Sequence, residues 1–337
     1  MNQNTQDIMT AQCADTQFHQ PDKEEIIICA ARKDDIEKMR ELQNAALEVL
    51  RDKKYNSETE WRADVQRFQP KFHVIYPVAS LADLDALERD YRNFVQYATT
   101  FEVQFIQDDI SNDIDRWIHL RAKGNVAYRR LIFSGRTPKP TSVNRLYIHV
   151  KADTVIVHHL NFMHHDPKPA ISVDINDSFM ADTISFNNSD QIEDQMRPLA
   201  EPLIVTASSE NRPYDITVMN SSFHNNQAEN ILGVDPNFPH SVKNITLRRV
   251  DIQNNSGAFD ISASEAAMID HCTISQTSLP ALRLGNPHTK VTIQNSQLSG
   301  YVFEYFPLPE YDNSKPKSVQ RINNTVAEGT KFHGLDE

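Results

Sequence analysis

An eight-residue segment recurs six times in this chain without a gap, and no other feature restricts its fold as tightly. The copies are VIVHHLNF from Val155, FMADTISF from Phe179, ITVMNSSF from Ile216, ITLRRVDI from Ile245, AMIDHCTI from Ala267 and VTIQNSQL from Val291. Positions one and three are apolar in every copy; six and eight are apolar apart from Ser221 and Ser296, both at position six. Such alternation describes two short strands with inward side chains, joined by a bend whose two residues point outward.

Successive copies start 24, 37, 29, 22 and 24 residues apart, so each is one coil of a repeat, with loops inserted in two steps. The runs RLYIHV, ISVDI, LIVTA, AFDIS and ALRLG precede most copies and supply a further sheet. Parallel strands stack at about 4.8 Å, so six rungs predict a column of about 29 Å. After position eight stand His164, Asn188, Asn225, Asn254, Gln276 and Gly300. They predict an amide-rich tight turn, because asparagine tolerates left-handed backbone and stacked amides bond from rung to rung.

The rest of the chain divides around this repeat. Residues 1–22 are polar and aperiodic and read as a flexible arm. Residues 23–100 read as a helical N-terminal cap region. They hold a short strand-like run, EEIIICAA, followed by apolar residues at helical spacing: Ile36, Met39, Leu42, Ala46, Val49 and Leu50, then Leu81, Leu84, Leu87, Tyr91 and Phe94. Residues 101–310 carry the repeat, and residues 311–337 a C-terminal cap or tail.

These features resemble the pectin-lyase-like superfamily of right-handed parallel β-helices, over roughly residues 101–310. The resemblance implies a mainly β fold, a right-handed parallel β-helix (solenoid) with an N-terminal α-helical cap region. It also implies carbohydrate chemistry: a lyase or hydrolase acting on an acidic polysaccharide. The segment MIDHCTIS resembles one in pectate lyases through Asp270 and His271 alone. Met268 stands where a tryptophan is usual, no RxPxxR segment follows, and RPYD at Arg212 lies upstream. The paired aspartates and RIK-like segment of polygalacturonases are absent.

In the gapless register, positions four and five line one outer edge. Two adjacent rungs there bring Arg248 and Arg249 beside Asp270 and His271, with Asp251 two residues on. Arginines bind acidic sugars, and a carboxylate orients a base or a divalent cation such as calcium. The candidate catalytic set is therefore Arg249, Asp270 and His271. Arg248, Asp251, Asn220 and Tyr214 are candidate substrate contacts. Asp190, Glu193, Asp194, Glu210, Tyr214 and Phe238, from the inserted loops, are candidates to wall a cleft. The run HHLNFMHHD suggests a metal through His158, His159, His164, His165 and Asp166, but the bend and a strand separate the two histidine pairs, so no metal site is assigned.

Composition limits the partners. The chain has 337 residues, 46 acidic against 34 basic, and a formal charge of −12, which argues against a phosphate-tracking surface and hence against nucleic acid. No apolar run is long enough to span a membrane, and the first twenty residues lack a signal-peptide pattern. Cys13, Cys29 and Cys272 show no pairing or metal spacing, so a reducing, cytoplasmic location is expected. Two alternatives stand beside the enzyme: a non-catalytic glycan-binding or structural module, such as a phage-fibre component that assembles as a homotrimer, and an intracellular enzyme or effector for a different small substrate.

Overall fold

The computed structural model describes residues 25–29, 33–51, 53–68, 70–94, 97–110, 115–121, 130–163, 169–187, 202–207, 213–226, 228, 230–234, 241–276, 279–307, 316 and 318–335. The chain is mainly β, and its strands join in one 24-stranded sheet. Every strand pairing in it is parallel, and the pairings sort into three ladders.

The first ladder contains positions one to four of the repeat. It runs through Glu25–Cys29, Lys71–Val78, Ala98–Phe105, Arg130–Ser134, the middle of Leu146–Met163, the middle of Ile171–Asn187, Tyr214–Met219, Val242–Arg248, Ala266–Asp270, Lys290–Gln294 and Ser318–Ile322. Ten spacings of about 4.8 Å make it about 48 Å long. The second ladder contains positions six to eight and extends from Asp109–Ile110 to Thr325–Val326. The third runs from Arg116–Arg121 through 146–152, 171–175, Leu203–Ala207, Asn230–Val234, Ala258–Asp260, Leu282–Leu284 and 303–305 to Lys331–His333.

The sheet also closes on itself. Ile171–Asn187, Leu203–Ala207, Asn230–Val234, Ala258–Asp260, Leu282–Leu284, Gln297–Tyr305, Thr273–Gln276, Asp251–Gln253 and Ser222–His224 form a paired ring. The ring closes because Ile171–Asn187 and Gln297–Tyr305 each turn a corner and pair in more than one ladder.

All 24 side chains in columns one, three, six and eight of the six copies are buried, none more than 4 % exposed. Their apolar members supply most of the driving force, at about 25 cal/mol for each Å² removed from water. In column eight Phe162, Phe186 and Phe223 stack at 4.9 and 5.1 Å, and Phe259 of the third ladder meets Phe223 edge-on.

Column five makes the corner. His159, Thr183, Asn220, Arg249, His271, Asn295 and Asn323 all have φ between 49° and 57°. One left-handed residue turns the chain sharply but interrupts the ladder, leaving the next N–H without a strand partner. In three rungs the position-six side chain of the following coil supplies it: Ser221 Oγ accepts from Ile184 N (3.2 Å), Ser296 Oγ from Cys272 N (3.0 Å), and Asn324 Oδ1 from Ser296 N (2.9 Å). The serines that interrupt an apolar column in the sequence are therefore corner acceptors.

The expected amide column is shifted by one residue in two rungs. Asn225 and Asn254 supply left-handed backbone (φ 56° and 50°), while the buried amides are Asn226, Asn255 and Gln276. Asn226 Nδ2 donates to Asn255 Oδ1 at 2.9 Å, and Asn255 N to Gln276 Oε1 at 2.9 Å. His164 and Asn188 lie outside the described residues.

Pairing does not break at residue 101. Helices α1 (Lys33–Arg51) and α2 (Glu58–Phe68) connect the first two rungs of the first ladder, and α3 (Leu81–Phe94) the second to the third. Helices thus stand in the early coils where later coils place strands of the other two ladders. Ser57 caps α2, its Oγ accepting from Glu60 N at 3.1 Å while Glu60 Oε2 accepts from Asn56 N. Met39 and Leu50 of α1 are buried, but Leu42 and Val49, which the helical spacing assigned to the same stripe, are exposed. At the other end, residues 318–333 form a further coil. No helix among the described residues is long and apolar enough to cross a membrane.

Candidate functional site

The predicted outer edge forms in the expected register. Arg248 pairs with Asp270 across adjacent rungs, its Nε 3.5 Å from Asp270 Oδ2. His271 Nδ1 lies 2.8 Å from Asp270 Oδ1, which also accepts from Gln294 Nε2 (3.2 Å) and Asn295 Nδ2 (3.1 Å). Burial would push this carboxyl up, but the hydrogen bonds from Asn295, Gln294 and His271 outweigh it and hold Asp270 below the usual carboxylate range. Arg249 NH1 donates to Asn220 Oδ1 (3.2 Å), and Asn220 Nδ2 to Asp182 Oδ1 (2.8 Å). The edge is therefore a polar string in which Asp270 is already saturated with donors, while His271 and both arginines are exposed.

Two predicted contacts lie elsewhere. Tyr214 is a core residue, 1 % exposed, with its hydroxyl on the Val205 carbonyl at 3.3 Å. It occupies an inward place in its strand and cannot reach a surface ligand. Asp251 begins the second-ladder strand, where it accepts from Gln253 Nε2 and sits 3.0 Å from His224 Nε2, turned away from Arg248 and Asp270. Among the proposed loop residues, Asp190, Glu193, Asp194, Glu210 and Phe238 lie outside the described residues, as do His164, His165 and Asp166. His158 and His159 stand next to each other at the corner, Nδ1 to Nδ1 3.1 Å, and burial lowers the His159 pKa. No group of three or more metal-ligating side chains occurs among the described residues.

A different surface concentrates more chemistry. Along the third ladder the register aligns His119, His149, Ser172, Ile204 and Gly233 and, beyond a register shift between Asn230 and Leu232, Asp260, Arg283, Glu304 and His333, which together make one outward row. Its middle is low, because serine and glycine project little. Its C-terminal part carries two carboxyls with a guanidinium between them.

Asp260 is partly buried, and the loss of water raises its pKa despite hydrogen bonds from Ser262, whose N–H donates at 3.0 Å. The carboxyl is thereby biased towards its protonated form. Arg283 reaches Asn230 Oδ1 at 3.4 Å and Glu304 Oε2 at 3.9 Å, while its Nε has no hydrogen-bond partner. Tyr301 donates to Glu304 Oε1 at 2.9 Å; burial and then that carboxylate push the phenol up to about 12. His333 closes the row with its ring 4.9 Å from Tyr301.

The third-ladder signal is present in AFDIS and ALRLG as single polar residues between apolar ones, and in YVFEYF as Glu304. Their mutual register is not, because connections of varying length separate each of these strands from the eight-residue frame. Among known proteins the chain matches no family model, no curated protein and no solved structure.

Proposed function

We propose that the coiled sheet is a right-handed parallel β-helix that hydrolyses an acidic polysaccharide laid along the outward face of its third ladder. Pairing that advances one coil per ladder supports the helix. A barrel instead closes by tilting and staggering strands laid side by side, and the paired ring here depends on two strands that turn corners.

The observation that carries the activity is the Asp260, Arg283, Glu304 row. The two residues stand two rungs apart, their backbones about 9.6 Å from each other along the ladder, a spacing that lets their carboxyls adopt the roughly 6.5–9.5 Å separation that inverting glycosidases use to admit a water between acid and base. Asp260 donates its proton to the glycosidic oxygen as the anomeric C–O bond breaks. Glu304 takes a proton from the water whose oxygen bonds to the anomeric carbon. Arg283, between them, binds a sugar carboxylate. Solvent then returns the proton from Glu304 to Asp260.

Turnover of a panel of acidic polysaccharides tests this. Asp260→Asn and Glu304→Gln are each expected to lose about 100-fold or more, and activity is expected to fall as pH rises through the raised Asp260 pKa. Full activity in both variants would overturn the assignment.

A second reading rests on the 2.8 Å contact between Asp270 and His271, which orients an exposed imidazole beside two arginines, as a lyase base requires. It predicts unsaturated uronic products that disappear in Arg249→Ala. Saturated products from that variant exclude it.

A further inference from the structure

The connection between α1 and α2 is tied down at both of its ends. At the first, Lys53 N donates to the Leu50 carbonyl at 3.2 Å, and the Lys53 ammonium and the Tyr55 hydroxyl both donate to Asp64 Oδ2, at 2.6 and 3.3 Å. The bond from Lys53 holds the Asp64 carboxyl below its usual range and raises the ammonium, so each keeps its charge at neutral pH. At the second, Glu60 and Ser57 close the cap of α2.

Beside this fixed connection lies a cleft of about 540 Å³, within the range of small-molecule sites. Leu47 and Leu50 of α1, Tyr55 of the connection and Trp61 of α2 line it, together with Arg51 and Lys53. Trp61 is 44 % exposed and Leu47 37 %. Large apolar side chains left to water singly need no explanation, but two gathered at one cleft mark a binding surface.

The polar groups of the lining select the ligand. Lys53 is committed to Asp64, whereas Arg51 contacts only the neighbouring Glu48, at 3.3 Å, and both of those side chains are at least 70 % exposed. Such a pair is weak, and a bound carboxylate that takes two parallel bonds from the guanidinium displaces Glu48. A sugar would turn hydroxyls towards Leu47 and Leu50 without hydrogen-bond partners. A flat aromatic body loses nothing there and packs on the indole.

We propose that this cleft binds an aromatic carboxylate, its ring against Trp61 and its charge on Arg51. The site belongs to the connection between the first two rungs and is independent of the hydrolytic reading above.

The test titrates naphthalene-2-carboxylate, its neutral amide and galacturonate into the full chain, by calorimetry and tryptophan emission. The carboxylate is expected to bind with a Kd below about 1 mM and about ten-fold more tightly than the amide. Arg51→Gln should abolish that preference and leave the affinity for the amide unchanged. Trp61→Ala should weaken both naphthyl ligands by about ten-fold or more and remove the quench of emission. Arg51→Gln alters an exposed side chain outside the core, so the charge test stands whatever Trp61→Ala does to α2. A preference that survives Arg51→Gln overturns the site. So do equal affinities for carboxylate and amide in wild type, tighter binding of galacturonate, or no binding of the carboxylate at about 1 mM.

Discussion

The left-handed corner shows how single side chains carry this fold. Asparagine fills it in Asn220, Asn295 and Asn323, but Thr183 and Arg249 hold the same backbone at φ 53°, where an ordinary L-residue is strained by about 1–2 kcal/mol. Arg249→Asn should therefore raise stability by about 1 kcal/mol in urea unfolding, since the exposed bond to Asn220 that it removes is worth little. The same variant separates the two functional readings. Hydrolysis at the third ladder leaves its turnover intact, whereas a lyase at the corner loses it.

A second residue-scale feature is the buried cluster of His73, Glu102 and Ser134. Glu102 is 3 % exposed, with His73 Nε2 at 3.0 Å and the Ser134 hydroxyl at 2.5 Å. Burial alone would raise its pKa, but the His73 and Ser134 hydrogen bonds bring it below the ordinary value. A carboxyl with a depressed folded pKa contributes stability above its unfolded pKa and loses it as pH falls through the folded one. Acid should thus destabilise wild type more steeply than Glu102→Gln. At neutral pH the variant should be weaker by about 3 kcal/mol, because it breaks a buried pair. Parallel acid-unfolding curves for the two proteins would contradict this.

At the scale of elements, what the sequence discloses follows from how the chain turns. The corner between the first two ladders is one residue, so those strands keep a fixed eight-residue frame, and their inward columns were readable to the last side chain. Connections to the third ladder vary in length, so its strands were visible but their outward column was not. The terminal copy VQRINNTV from Val319 fits the frame with Asn323 at the corner. Arg321 and Asn324 mask it in the sequence, because they occupy columns that are apolar or small elsewhere. The early rungs were hidden differently, by helices where later coils have strands. Column packing gives a direct check. Phe186, stacked between Phe162 and Phe223, should cost about 3–5 kcal/mol when changed to alanine, read as a lower urea midpoint.

At the scale of the whole molecule, the parallel sheet makes one long face. In the coil of residues 318–333, Arg321 pairs with Ile293 in an inward column, and its guanidinium lies 4.6 Å over the Phe332 ring. Arg321→Ala should lower the urea midpoint by removing a cation–π contact worth about 0.5–1 kcal/mol at an exposed site, and an unchanged midpoint would contradict that.

The face itself carries the functional claim, through two carboxyls on alternate rungs of one outward column. Their spacing specifies a stereochemical outcome, and the anomeric configuration of the first-formed product, followed by proton NMR during cleavage of an acidic polysaccharide, reads it directly. Inversion at the anomeric carbon is the result expected of Asp260 and Glu304 with their backbones about 9.6 Å apart. Retention, or an unsaturated uronic product, would contradict it.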